Sequence, residues 1–91
     1  MLVTHLQILG RVQGVGYRSW FMHQARLLGL RGWVRNRSDG SVEALVAGDA
    51  QAVSSIFGLA HEGPAWARVD SVEREISQEA PGDDFRIERT I

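Results

Sequence analysis

The sequence predicts an α+β fold in which two helices cover one face of a mostly antiparallel sheet. Two observations predict it: several short segments alternate apolar and polar residues, and two segments between them carry apolar residues at helical spacing. The resulting order is β-α-β-β-α-β with an additional strand at the end, which is the split βαβ, ferredoxin-like two-layer sandwich. For this order we expect strands 4-1-3-2 across the sheet, with the fifth strand at an edge.

The first third of the chain predicts a strand, a glycine-rich loop and a helix. Even-numbered positions of residues 2–12 form the apolar, buried face of the strand, and residues 13–16 end its alternation. The helix is expected over residues 17–28. Gly29 is typical of a helix stop, with Leu30 placed to fold back on the last helical turn.

The remaining elements follow from turn residues and hydrophobic periodicity. Residues 38–40 (Ser-Asp-Gly) predict a hairpin turn, and Asp49 is placed to cap the second helix. In the last strand, Phe85 and Ile87 are expected to be buried. The predicted elements are a second strand over residues 32–36, a third over 41–47, a second helix over 50–61, a fourth strand over 69–76 and a fifth over 84–90.

Length and composition restrict the kind of protein. The 91 residues fit one domain, expected over residues 1–91. The chain has no cysteine, which excludes disulfides and thiolate metal sites and favours a cytoplasmic location. No apolar run is long enough to span a bilayer. A chain of this size that starts at Met favours a free-standing protein over a module of a larger one. We also expect a monomer with no membrane partner.

Charge is distributed unevenly along the chain. The net charge of −1 argues against general nucleic-acid binding, but residues 1–45 carry six arginines against two acids, a balance of +4. All ten basic residues are arginines. Codon bias is the simpler explanation for that choice, although the planar guanidinium is also the group that binds phosphate in a bidentate manner. The basic first half therefore indicates an anionic ligand.

The loop at residues 13–16 joins the carboxyl end of the first strand to the amino end of the first helix. Its two glycines, Gly14 and Gly16, allow successive backbone N–H groups to turn toward one point and form an anion-binding nest. The helix terminus adds free N–H donors, and Arg18 in the first turn adds a charged one. The simpler alternative is a tight turn followed by a solvated arginine.

Asn36 ends the second predicted strand. The first and second strands run parallel with the third between them, so their carboxyl ends lie at the same sheet edge, roughly 10 Å apart. Asn36 shares the helix-covered face with Gly32 and Val34. The side chains of Asn36 and Arg18 can therefore converge, although Asn36 taken alone is also an ordinary hairpin residue.

Two segments together resemble the signatures of the acylphosphatase family. Residues 8–18 (ILGRVQGVGYR) are similar to the first signature, and residues 32–36 (GWVRN), followed by Gly40, Val42 and Gly48, are similar to the second. This resemblance implies hydrolysis of the carboxyl–phosphate bond of acyl phosphates to a carboxylate and inorganic phosphate. In the family, phenylalanine most often stands where this chain has Tyr17.

The resemblance also implies roles for individual residues. Arg18 would bind the substrate phosphate, and Asn36 would orient the attacking water. The backbone N–H groups of the loop would form the phosphate cradle; these belong to Gln13, Gly14, Val15, Gly16 and Tyr17.

The residues offer no obvious general base. The histidines, His5, His23 and His61, are expected to be solvated surface residues, and Asp39 and Glu43 match no paired-carboxylate arrangement. An acyl phosphate needs little acid–base help because its leaving group is a stable carboxylate. Phosphoryl transfer then needs mainly positioning and charge stabilisation. We therefore expect no metal and no cofactor.

Two alternatives remain open on the residues. Trp33 and Arg35 are predicted on the open sheet face, as in RNA-binding sheets, but the aromatic pattern of such sheets is missing from the third strand. No nucleic-acid partner is therefore expected. The other alternative is a non-catalytic regulatory domain, or a carbamoyl-phosphate-processing module of a larger protein.

Overall fold

The helices and strands follow one another in the predicted order. The computed structural model describes residues 2–91. Its elements are β1 (Leu2–Arg11), α1 (Tyr17–Leu27), β2 (Arg31–Asn36), β3 (Val42–Gly48), α2 (Ala50–Glu62), β4 (Arg68–Ile76) and β5 (Phe85–Ile87). The last strand is much shorter than predicted. Beyond it the chain still follows β2, since the N–H of Glu88 donates to the carbonyl of Val34 at 2.9 Å.

The sheet has the order β4-β1-β3-β2-β5, which confirms the predicted topology. β3 pairs antiparallel with both β1 and β2, β1 pairs antiparallel with β4, and β5 pairs parallel with β2. β1 and β2 are therefore parallel to each other, with β3 between them. Their carboxyl ends, at Arg11 and Asn36, lie at the same edge of the sheet.

The core lies between the helices and one face of the sheet. The even-numbered positions of β1 face it, as predicted. Its buried side chains include Leu6 and Ile8 of β1, Tyr17, Phe21 and Ala25 of α1, Val34 of β2, and Val53, Ile56 and Ala60 of α2. Each fully buried large apolar side chain contributes about 1.5–3 kcal/mol to folding.

One burial prediction is half wrong. Phe85 is buried and its ring lies 5.7 Å from that of Phe21, but Ile87 is 37% exposed. β5 is the edge strand, so no further strand covers its outer side. Alternation along the chain gives the face of a strand but does not reveal how far the helices extend over it.

The helix ends show one confirmed prediction and one correction. The N–H of Leu30 donates to the carbonyl of Ala25 at 3.0 Å, and Gly29 has φ +72°, so the chain folds back after α1 as expected. Asp49 precedes α2, but its side chain makes no capping hydrogen bond. It contributes its carbonyl instead, which accepts the Val53 N–H at 2.9 Å.

Within residues 2–91, neither helix is both long enough and apolar enough to cross a membrane.

Candidate active site

The loop after β1 has the backbone of an anion-binding nest. Gly14 has φ +74° and Gly16 φ +80°, and among residues 2–91 only glycines have positive φ. The sign of φ therefore alternates from Gln13 to Gly16, which turns successive N–H groups toward one side. A Cβ atom added at either glycine would meet nothing within 4 Å. The sequence needs glycine here for its φ angle, since space is not limiting.

The nest continues into the start of α1. Gly16 is the N-cap residue, so no side chain caps the helix, and its first turn contains no acidic residue. The first N–H groups of a helix have no partner within the helix, and they carry a partial positive charge. This arrangement leaves the donors of the loop and of the first turn available to an anion.

Arg18 is the second residue of α1 and is half-buried. Within the described chain its guanidinium makes no hydrogen bond and no ion pair. A guanidinium without an acidic partner, one turn from a backbone nest, keeps its full capacity to bind an anion. The structure therefore places Arg18 in the first turn of the helix that follows the loop.

Tyr17 replaces the usual phenylalanine without leaving its hydroxyl unpaired. Its ring is 1% exposed, and the hydroxyl donates to the carbonyl of Ala60 at 2.7 Å. Burial raises the pKa of this phenol, so it stays protonated as a donor. The substitution thus adds a hydrogen bond between the start of α1 and the end of α2.

Asn36 is the last residue of β2 and is partly buried. Its side-chain oxygen Oδ1 is buried and has no hydrogen-bond partner among residues 2–91. Most buried polar atoms in proteins are paired, and each exception calls for an explanation. An unpaired acceptor at the same sheet edge as the nest is suited to hold a water molecule.

A side chain of the loop joins the nest to the Asn36 end of β2. Nε2 of Gln13 donates to the carbonyl of Arg37 at 2.7 Å and to that of Ser41 at 2.8 Å. Both acceptors belong to the hairpin that begins directly after Asn36. The two halves of the predicted site are therefore connected by hydrogen bonds. The sequence alone predicts a role for Gln13 only through its backbone N–H.

Glu43 gathers three donors on the open face of the sheet. Its Oε2 lies 2.5 Å from Nε2 of His5, and its Oε1 accepts from Nε of Arg35 at 2.7 Å and from Nη1 of Arg37 at 3.2 Å. Burial pushes the pKa of Glu43 upward, but the three hydrogen bonds outweigh this effect and lower the pKa overall. Glu43 is therefore ionised, and a carboxylate with a lowered pKa is poorly suited to act as a base. We call Glu43 together with its three donors, His5, Arg35 and Arg37, the clamp.

The expectation of a solvated His5 is wrong. Its side chain is 26% exposed and is bonded to Glu43. The reason is the register of the sheet, in which Gln7 of β1 lies opposite Glu43 of β3, so His5 is diagonal to the carboxylate on the same face. The other acid near the hairpin, Asp39, accepts from the N–H and hydroxyl of Ser41 at 2.9 and 2.6 Å, and these bonds lower its pKa. Asp39 thus shapes the turn.

Comparison with known proteins agrees with the geometry. The family model for acylphosphatases matches residues 4–87. An acylphosphatase of Rhodopseudomonas palustris is 47% identical over 96 aligned residues, which cover 99% of this chain and 97% of the relative. The solved acylphosphatase of Bacillus subtilis has a TM-score of 0.91 at 35% identity, covering 96% of this chain and 98% of its own. That of Coxiella burnetii has a TM-score of 0.92 at 33% identity, covering 96% and 92%. The chain therefore belongs to the acylphosphatase family, whose activity is the hydrolysis of acyl phosphates to a carboxylate and inorganic phosphate.

Proposed function

We propose that the loop at residues 13–17 and Arg18 hold the phosphate of the substrate, and that Asn36 orients the attacking water. The proposal rests on one observation: an acceptor without a partner lies at the same sheet edge as a set of donors that are available to an anion. The acceptor is Oδ1 of Asn36, and the donors are the N–H groups of the loop and the guanidinium of Arg18. Oδ1 of Asn36 is buried without a partner, and Gln13 joins the backbone beside it to the nest. Arg18 has no acidic partner among residues 2–91.

The donors of the site match the charge of the transferred phosphoryl group. Its three equatorial oxygens carry the negative charge during transfer, and the N–H groups of the nest and the guanidinium of Arg18 can bind them. These donors are fixed before the substrate arrives, so little reorganisation is needed at the moment of reaction. We therefore assign this loop to both binding and transition-state stabilisation, without a metal or a cofactor.

Asn36 can direct a water but cannot remove its proton. Its neutral Oδ1 accepts a hydrogen bond from the water, which attacks phosphorus on the side opposite the acyl oxygen. The bond between phosphorus and the acyl oxygen breaks, and its electron pair leaves with the carboxylate. The proton of the water passes to a phosphate oxygen. No protein side chain has to change its protonation state.

This mechanism predicts which phosphate compounds react. The two acids of the β2–β3 hairpin are occupied, Glu43 by three donors and Asp39 by Ser41, so neither stands ready to protonate a poor leaving group. The reaction then depends on a leaving group that departs as a stable anion. A carboxylate satisfies this condition, whereas the alkoxide of an alkyl phosphate does not.

The test is a hydrolysis assay with benzoyl phosphate beside glycerol 3-phosphate, with and without EDTA. We expect rapid release of phosphate from benzoyl phosphate, almost none from the monoester, and no effect of the chelator. Inorganic phosphate should inhibit competitively, since it occupies the same nest. Equal rates on both compounds, or loss of activity with EDTA, would contradict the proposed mechanism.

The proposal also covers the oligomeric state, location, domain content and partners of the enzyme. We propose a monomeric, cytoplasmic, single-domain protein over residues 1–91 that takes no nucleic acid as partner. The absence of cysteine supports the compartment. Trp33 supports the last point because its ring is 9% exposed, lies 4.4 Å from the guanidinium of Arg35 and donates from Nε1 to Glu79. Such a ring offers no free stacking surface. Sequence-preferring RNA binding in a titration would overturn this point.

A further inference from the structure

We propose that Glu43 is a positioning residue for the hydrolysis, because it holds the strand segment that carries Asn36 and so sets the direction of the Asn36 amide. The proposal rests on the role assigned to Asn36 above. Among residues 2–91, the side chain of Glu43 bonds to His5, Arg35 and Arg37 and makes no hydrogen bond to the loop. It acts through Arg35 and Arg37, the two neighbours of Asn36 in the chain.

Asn36 needs external support because its own side-chain oxygen has none. Oδ1 makes no hydrogen bond within residues 2–91, so no side-chain partner holds it in one direction. Its direction therefore depends on the backbone, and Asn36 is the last residue of β2. Its carbonyl accepts only a long bond, 3.3 Å, from the N–H of Ile91. Strand ends of this kind open more easily than strand interiors.

A single carboxylate oxygen restrains both neighbours of Asn36. Oε1 of Glu43 lies 2.7 Å from Nε of Arg35 and 3.2 Å from Nη1 of Arg37. Glu43 lies directly opposite Arg35 in the register of β2 and β3. Because consecutive side chains of a strand alternate between faces, Arg35 and Arg37 are held on one face while Asn36 points to the other. Holding both side chains on one face resists a twist of the backbone at Asn36.

The clamp is itself held in place and shielded. His5 binds the second oxygen, Oε2, so the carboxylate cannot turn freely. The side chain of Glu43 is only 12% exposed. Charge-assisted hydrogen bonds are stronger and less screened where water is excluded. This restraint is therefore stiffer than an ion pair on the protein surface, which contributes little.

The clamp also connects to the phosphate loop. Arg37 is held at its side chain by Glu43 and at its carbonyl by Gln13, whose bond to that carbonyl is 2.7 Å long. The contacts thus run from Glu43 through Arg37 to the loop that binds phosphate. They fix the distance between the bound phosphate and the water held by Asn36, which is the quantity on which an in-line attack depends.

Glu43→Gln tests the proposal, since it keeps the shape of the side chain and removes its charge. We expect kcat for benzoyl phosphate to fall about 10- to 100-fold, as for a misplacement of up to about 1 Å in a reacting group. KM and the inhibition constant of inorganic phosphate should stay within about twofold, because the nest and Arg18 are intact. Glu88→Gln is the matched control: it removes a carboxylate that accepts from Arg86 at 2.8 Å beside the edge strand β5, and whose side chain bonds to neither neighbour of Asn36. It should leave kcat unchanged.

A double-mutant cycle with Arg37→Met distinguishes positioning from general stability. If Glu43 acts through Arg37, the two kcat losses are not additive, and Arg37→Lys recovers part of the rate because an ammonium still reaches the carboxylate. Additive losses, or a lower melting temperature with unchanged kcat, would overturn the proposal. If Glu43→Gln does not fold, the Arg37→Met and Arg37→Lys pair decides: equal rates for the two overturn it.

The outcome also separates this proposal from the function assigned to Asn36. In an Asn36→Ala background, Glu43→Gln should have almost no further effect on kcat, because no amide remains to be positioned. If Asn36→Ala alone leaves kcat intact, the role of Asn36 is wrong. If Asn36→Ala lowers kcat and Glu43→Gln does not, only the role of Glu43 is wrong.

Discussion

The two halves of the site are built by different means. The phosphate loop is shaped by backbone angles, with positive φ at Gly14 and Gly16, and open space beside both. The Asn36 end of β2 is shaped by side chains, with Glu43 on one side and Gln13 on the other. A loop made of backbone donors depends on glycine and tolerates changes around it. A side-chain clamp depends on charge and on the register of three strands.

This difference predicts different responses to mutation. Changes at the loop should impair phosphate binding, whereas changes at the Asn36 end should impair turnover with binding preserved. Kinetics and phosphate titration of single variants test that division.

The largest effect is expected for Arg18→Ala. It removes the charged donor that we propose binds the phosphate before and during transfer, so both phosphate binding and turnover should weaken. We expect kcat/KM to fall about 10³-fold or more, as when a transition-state arginine is lost in phosphoryl transfer. Steady-state kinetics with benzoyl phosphate measure it. Arg18→Lys should recover little, since one ammonium cannot replace a planar bidentate group; full recovery would show that charge alone is required.

A smaller effect is expected for Gly16→Ala, and Gly29→Ala is its matched control. Both glycines have similar φ angles, +80° and +72°, and a Cβ meets nothing within 4 Å at either. Each substitution should cost about 1–2 kcal/mol of unfolding free energy for the left-handed conformation. Only Gly16→Ala should also weaken phosphate binding, measured by titration, because only Gly16 belongs to the nest. Equal phosphate affinity in both variants would remove the nest from the mechanism.

Tyr17→Phe should affect stability and leave chemistry alone. The change restores the usual family residue and removes the hydrogen bond to the carbonyl of Ala60. We expect a loss of about 0.5–1.5 kcal/mol of unfolding free energy in urea denaturation. kcat and KM should be unchanged. A clear drop in kcat would mean that the hydroxyl of Tyr17, and not only its backbone N–H, serves the reaction.

Acid should weaken the clamp. Because the pKa of Glu43 in the folded protein is below its ordinary value of 4.5, its ionisation stabilises the fold above pH 4.5, and this contribution disappears as pH falls below that value. The difference in unfolding free energy between the wild type and Glu43→Gln should therefore shrink as pH falls below 4.5. Urea denaturation at several pH values measures it. A difference independent of pH would show that Glu43 is not held as an anion.

The sequence predicts the parts of this molecule that depend on local pattern. The apolar alternation of β1, the helical spacing of Tyr17 and Phe21, and the glycine after α1 each reflect a rule that acts within a few residues. They gave the element order, the buried face and the nest. The parity of β2 also placed Asn36 correctly, since Val34 on the same face is fully buried.

What the sequence did not predict depends on contacts between distant residues. Gln13 reaches Arg37 and Ser41 across the site, and His5 reaches Glu43 from another strand. These contacts require the register between strands and the side-chain rotamers, neither of which a linear pattern specifies. The contact between Arg35 and Glu43 can be predicted from the sequence, because a hairpin centred on residues 38–40 places these two oppositely charged residues opposite each other.

The central claim is that Asn36 acts on the water and not on the phosphate. The most direct measurement is kcat for benzoyl phosphate together with the dissociation constant of inorganic phosphate, both for Asn36→Ala. We predict that the barrier to turnover rises by about 2.7–4 kcal/mol, as for loss of an oxyanion-hole donor, while the dissociation constant changes less than about twofold. Lost phosphate binding with normal kcat would contradict the claim, as would no change in either quantity.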